Sequence, residues 1–139
     1  MMISTKGRYA LRVMIDLAQH RDGRLIPLAV IAERQDISEK YRENIVSGLA
    51  KGGLVKSTRG KNGGYTLTKS PREYTVAEIM AASEGDLAPV ACLKDSNSCD
   101  NAQNCLTVTL WANLQDVIYE YLSGITLEDL ALGKIKRNK

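Results

Sequence analysis

The sequence predicts a mainly α fold with a small β-hairpin wing: a winged helix-turn-helix followed by a long C-terminal helix. Two observations carry this prediction. Apolar residues recur at helical spacing in three N-terminal segments separated by short turns, with two β-type runs and a glycine-rich loop directly after the third. A long amphipathic pattern then lies close to the C-terminus.

Ser4 to Gln19 reads as the first helix, with Ala10, Val13, Met14 and Leu17 on one face and Lys6, Arg8, Arg12, Asp16 and Gln19 elsewhere. Asp22-Gly23 stops it. Pro27 suits a first helical position, and Leu28 to Gln35 forms a short helix with Leu28, Ile31 and Ala32 on one side. After a turn at Asp36-Ile37, Ser38 is the expected N-cap of a helix reaching Lys51, which Gly52-Gly53 ends. Leu54 to Thr58 and Tyr65 to Thr68 pair as a hairpin across Arg59-Gly60-Lys61-Asn62-Gly63-Gly64.

Thr75-Val76-Ala77-Glu78 matches a capping box for a helix from Val76 to about Ser83. Residues 84–104 show almost no periodicity and hold all three cysteines or their immediate neighbours, a length that calls for a function or a bound group. Thr107 to Ser123 carries two adjacent apolar stripes, Leu110, Leu114, Val117, Tyr121 and Trp111, Ile118, Leu122. They are too wide for one packing contact, so the helix either packs on its own domain and on a second subunit or is buried all round. Thr126-Leu127-Glu128-Asp129 starts a last short helix before a basic tail.

With 139 residues, 44% hydrophobic and 25% charged, the chain is sized for one ordinary core, which argues against disorder and fibrous repeats. Its longest aliphatic stretch, Leu28 to Ala32, falls far short of the ~20 residues of a membrane span. The first residues open onto no apolar signal region, so the expected compartment is the cytoplasm, where thiols stay reduced. Residues 1–75 carry fourteen Lys/Arg against seven Asp/Glu, a balance of +7, whereas residues 76–139 carry five against nine, a balance of −4. Either the asymmetry is chance, or contact with a polyanion is to be sought in the first half.

On a helical wheel Ile45, Val46 and Leu49 fall together, and Lys40, Glu43, Asn44, Ser47 and Lys51 fall opposite. That polar face has base-reading chemistry: Asn pairs with adenine, a carboxylate accepts from cytosine, and Lys reaches guanine or phosphate. Ser38 and Tyr41 lie near the helix start, suited to phosphate or sugar. Arg59 and Lys61 flank the glycine-rich tip, suited to a minor groove or the backbone. Double-stranded DNA is the indicated partner, with a protein-interaction module as the other reading. An acidic residue facing DNA is costly against phosphate, which makes Glu43 a candidate discriminator of sites. No phosphate loop or base–nucleophile pair is found, so an enzyme is not expected.

Cys92, Cys99 and Cys105 place three soft sulfur donors within fourteen residues. By spacing alone they suit an iron–sulfur cluster, zinc, a thiol redox switch, or no site at all.

Ser4-Thr5-Lys6-Gly7-Arg8-Tyr9-Ala10, Pro27-Leu28-Ala29, Ile31-Ala32-Glu33-Arg34-Gln35, Arg59-Gly60, Gly63-Gly64-Tyr65 and the cysteine segment followed by Leu110-Trp111 resemble the bacterial winged-helix regulators that include IscR, NsrR, RirA and CymR. The resemblance runs to about residue 132 and is nearest to the IscR branch, the iron–sulfur cluster regulators. It implies a homodimer joined through the long helix, here Leu110, Leu114, Val117 and Tyr121, reading a palindromic operator with the third helix and the wing. It also implies Ser38, Tyr41, Glu43, Asn44 and Arg59 as DNA contacts, with Glu43 matching an acidic residue that distinguishes operator types. Cys92, Cys99 and Cys105 become cluster ligands, 2Fe-2S favoured over 4Fe-4S.

Two departures from the family pattern stand out. Arg42 replaces an apolar residue, and Val108 stands where IscR-like proteins have a ligating histidine. The acidic first-helix ligand of nitric oxide sensors is matched by Arg8, which leaves Asp95, Asp100, a partner residue or an exogenous group as fourth ligand. The implied function is repression of iron–sulfur cluster assembly genes. The rivals are a cluster-free thiol- or partner-controlled repressor of cysteine metabolism and a nitric oxide sensor. The chain then divides into a DNA-binding domain (1–83), a cluster-binding loop (84–106), and a dimerisation helix with short helix and tail (107–139).

Overall fold

A computed structural model describes residues 3–93 and 104–138. The elements run α1 (Thr5–Gln19), α2 (Leu28–Gln35), α3 (Glu39–Lys51), β1 (Val55–Thr58), β2 (Gly64–Leu67), α4 (Val76–Glu84), α5 (Val108–Ser123) and α6 (Leu127–Ala131). Short 3-10 turns occupy Pro71–Glu73 and Ala91–Leu93. The architecture is the expected one, helices with an antiparallel two-stranded wing.

Local chemistry accounts for most boundaries. Ser4 lies outside α1 as its N-cap, its hydroxyl accepting from the Gly7 N–H at 3.2 Å. Pro27 is the N-cap of α2 and not its first helical residue, because its ψ of 142° is extended. Asp36 ends α2 at φ 52°, a left-handed position that a short polar side chain tolerates. Gly53, at φ 73°, supplies the same conformation after α3 without a Cβ penalty. Thr75 and Glu78 form the expected capping box, and Thr126 and Asp129 repeat it on α6.

The main core gathers Ala10, Val13, Met14 and Leu17 of α1 with Ile31, Ile45, Leu49, Ile79 and Leu127. Tyr74 is fully buried there; its hydroxyl donates to the Leu54 carbonyl at 2.7 Å and accepts from the Thr68 N–H at 2.9 Å. Leu127 reaches this core because the strands of chain before α4 and α6 are stitched together, Val76 N–H to Ile125 O at 2.9 Å and Leu127 N–H to Tyr74 O at 3.0 Å.

Asp16, placed by helical spacing on the polar side of α1, is instead fully buried. Arg34 donates to both of its carboxylate oxygens at 3.0 and 2.7 Å, and the Gln35 amide adds a bond at 3.1 Å. The side chain is buried because α2 brings those donors to it. Arg12 also donates to the Gln35 carbonyl, so α1 grips the last turn of α2 twice.

A second cluster seats α5: Ile118, Tyr119 and Leu122 pack against Val76, Met80 and Leu87. No residue of α5 is buried, so a helix enclosed on all sides is not what the chain forms.

Candidate nucleic-acid interface and thiol segment

The wheel of α3 is realised in three dimensions. Ile45, Val46 and Leu49 are buried, and Lys40, Glu43, Asn44, Ser47 and Lys51 are exposed. Ser38 is exposed at the N-cap, without a side-chain cap bond. Tyr41 is half-buried because its ring leans on Tyr9 of α1.

The wing is set against α3 by a bridge that sequence periodicity does not reveal. Ile26 N–H bonds to Tyr65 O at 3.0 Å and Tyr65 N–H to Ile26 O at 2.8 Å, which ties the chain entering α2 to β2. Gly64 permits this crossing, since a Cβ there would come 2.5 Å from the Ile26 carbonyl. Between α3 and the hairpin lies a groove of ≈ 590 Å³ that brings together Glu43, Ser47 and Arg59, with Tyr65 in its wall. Burial pushes the Tyr65 phenol up from its ordinary pKa, the Glu43 carboxylate adds to this and Arg59 opposes it. These three groups therefore share one electrostatic environment. Ser38, Lys40, Tyr41 and Asn44 lie outside this groove, and Lys61 lines a neighbouring concavity at the wing tip.

Tyr65 is the groove residue that sequence reasoning missed as a participant, although Gly63-Gly64-Tyr65 was singled out as a motif. Arg42 turns away from the groove: its Nε donates to the Ile37 carbonyl at 3.1 Å, in the turn between α2 and α3.

Of the thiols, Cys92 sits in the 3-10 turn Ala91–Leu93 and Cys105 just before α5, both free and partly exposed. The Cys105 Sγ lies 3.1 Å from the Thr107 hydroxyl. That hydrogen bond, helped by the Thr107 and Val108 backbone, holds the thiol below its usual pKa. Cys99, Asp95 and Asp100 lie outside the described residues. Among the described residues no group of three His, Cys, Asp or Glu side chains is gathered around a point. Two sulfur donors, one biased towards thiolate, fit the chemistry of a soft-metal cluster. Val108 opens α5 with no donor atom, and Arg8 hydrogen-bonds Thr5 at 3.1 Å as a cation, so neither supplies a fourth ligand.

Outward from α5, Leu110, Leu114, Val117 and Tyr121 are 58, 39, 61 and 52% exposed. Ile118 and Leu122 of the inner stripe pack on the cluster of α4 while this outer stripe meets solvent. No helix among the described residues is long and apolar enough to cross a membrane.

Comparison with known proteins agrees with this arrangement. The model of the Rrf2 family, described as an iron-dependent transcriptional regulator, matches residues 3–132. The HTH-type transcriptional regulator IscR of Pectobacterium atrosepticum is 42% identical over 134 residues, 96% of this chain and 81% of that protein. The solved structure of CymR (YrzC), the global cysteine regulator of B. subtilis, is 41% identical and superposes with TM-score 0.74 over 94% of this chain and 96% of that one. T. potens IscR superposes with TM-score 0.74 at 35% identity over 100% of this chain and 93% of that one. The helix-turn-helix, its wing and these relationships together make the chain a member of the Rrf2 family of transcriptional regulators, DNA-binding proteins and not enzymes.

Proposed function

We propose that this Rrf2-family chain is a cytoplasmic, homodimeric, iron–sulfur-sensing repressor of cluster assembly genes, acting on a palindromic operator. The observation that carries the sensing is the placement of the described thiols, Cys92 and Cys105, in the one segment that joins α4 to α5, with Cys105 just before α5. Near the start of that segment lies Leu87, which packs on both helices and whose N–H donates to the Tyr119 hydroxyl at 3.3 Å. Cys92, Cys99 and Cys105 would hold the cluster, 2Fe-2S favoured over 4Fe-4S. When bound, it supplies one-electron redox chemistry and sensitivity to iron and oxidants.

The chain's own residues do the rest. Holding Cys92 and Cys105 at one point restrains the segment against α4, which also contacts α1 and α3. In this reading residues 84–106 are the sensing loop between the DNA-binding part, 1–83, and the dimerising part, 107–139. The outer stripe of α5 meets its own copy across a two-fold axis, so that two α3 helices address two half-sites. In each half-site Ser38 contacts DNA from the N-cap, Lys40, Tyr41, Asn44 and Ser47 from α3, and Arg59 and Lys61 from the wing. Glu43 faces the same surface as a carboxylate that rejects sites lacking a donor base edge.

The test is anaerobic purification with an absorption spectrum, an iron and sulfide count per chain, and footprints of wild type and Cys92→Ala. Stoichiometric iron and sulfide with an altered footprint in the variant supports the reading. Colourless protein after anaerobic reconstitution, or footprints indifferent to iron and to Cys92→Ala, sinks it.

A second reading is favoured by the free thiols and by the 41% identity to CymR, the global cysteine regulator. It is a cluster-free repressor of cysteine metabolism controlled by thiol state or a partner, which would bind DNA independently of iron.

A further inference from the structure

The groove between α3 and the wing has a neighbour. A second concavity, ≈ 540 Å³, opens between Gly23–Leu25 with Pro27 and the wing-tip residues Lys61–Gly63. The two concavities share Pro27 and Gly63, and the ridge between them is the place where Gly64 crosses the Ile26–Pro27 backbone. One flank of the wing therefore faces α3, and the other faces the loop between α1 and α2.

The charges on the two flanks differ. The α3 flank mixes Glu43 with Arg59, whereas Arg24 and Lys61 are the only ionisable residues lining the other. Both are exposed, and neither takes part in an ion pair among the described residues. Asp22 is the nearest carboxylate in sequence; it accepts the Arg24 backbone N–H at 2.9 Å, which fixes the loop backbone without engaging the guanidinium. The Ile26–Tyr65 bridge holds this loop and the wing in register.

A B-DNA minor groove is about 6 Å wide and walled by phosphates on both sides. A wing tip inserted there turns one flank to each wall. We propose that Arg24, together with Lys61, forms a second phosphate-binding site on the flank of the wing away from α3, gripping the backbone strand that α3 does not reach. The inference rests on the DNA-binding reading and extends the contact surface to the α1–α2 loop.

The experiment uses the full chain and a duplex selected from a random-sequence pool by the wild-type protein, long enough to run a helical turn beyond each half-site. Salt titrations compare wild type, Arg24→Ala, Arg24→Lys and Arg59→Ala. Arg24→Ala is expected to reduce the slope of log affinity against log salt by about 0.9 per protomer, with Arg24→Lys restoring it. Between ~50 and ~200 mM salt this closes the gap to wild type by about 3.5-fold per protomer. On a duplex truncated at the wing's groove, wild type and Arg24→Ala should bind alike.

An unchanged slope in Arg24→Ala, with Arg59→Ala lowering it, overturns the second site and leaves DNA binding standing. So does a difference that persists on the truncated duplex, because Arg24 would then act through the loop and not through a flanking phosphate. A wild type that retains no duplex from the pool overturns both readings.

Discussion

The Tyr9 ring of α1 meets the Tyr41 ring of α3 edge-on, with centroids 5.6 Å apart and planes inclined by 72°. Arg12 stands 5.4 Å over Tyr9 and Lys40 5.4 Å over Tyr41, so the stack is bracketed by cations. It anchors the first turn of α3, where Ser38, Lys40 and Tyr41 are grouped. Tyr9→Leu keeps apolar bulk but loses the edge contact and the cation over the ring. We expect a loss of about 1 kcal/mol in urea denaturation. Binding to duplex should weaken with its salt slope intact, since no phosphate contact is removed; a changed slope would place Tyr9 itself on the DNA.

The buried Asp16 carboxylate depends on Arg34 for two of its hydrogen bonds. Arg34→Ala should cost about 2 kcal/mol by denaturant titration, below the ~3–5 kcal/mol of a fully enclosed pair, because Arg34 keeps 35% exposure. Asp16→Asn in the Arg34→Ala background should recover part of that loss, as the orphaned charge disappears. A double variant no better than the single one would assign the cost to packing.

Gly64→Ala puts a Cβ against the Ile26 backbone, which has no freedom to yield as a side chain would. The wing should shift from Ile26, lowering stability by about 1–3 kcal/mol and weakening DNA binding more than Asn62→Ala does at the exposed tip. Hydrogen exchange at the Ile26 and Tyr65 amides reads the shift directly; protection equal to wild type would refute it.

Asp129 accepts the Thr126 hydrogen bonds that start α6 and lies near Lys134, which together hold its pKa below the ordinary value near 3.8. A carboxylate with a depressed folded pKa stabilises the fold above its unfolded pKa and loses that contribution as pH falls through the folded one. Asp129→Asn should therefore lower the Tm at pH 7 and leave it near the wild-type value at strongly acid pH. A Tm difference that is the same at both pH values would mean the charge is irrelevant.

On the outer face of α5, Val117→Asp should give monomers in sedimentation with unchanged helical circular dichroism, since Val117 is 61% exposed within one chain. Affinity for the proposed palindromic operator should fall with the lost linkage of two half-sites. Variant dimers of wild-type stability would move the interface elsewhere.

What the sequence determined was local. The α3 wheel of Ile45, Val46 and Leu49, the Thr75-x-x-Glu78 capping box and the glycines after α3 each act within a few residues, so periodicity and cap chemistry suffice to read them. The same holds for the departure at Val108, a plain matter of which side chain carries a donor. Tertiary structure decided whatever depends on partners distant along the chain. Asp16 has the polarity of a surface residue and is buried because Arg34, eighteen residues on, brings its counter-charge. Tyr65 enters the groove with Glu43 because Ile26, an isolated residue with no strand pattern around it, pairs with it. Arg24 shares a concavity with the wing tip for the same reason. Burial and juxtaposition are set by which surfaces the packed helices bring together, and a one-dimensional pattern carries that information only where the partners are neighbours.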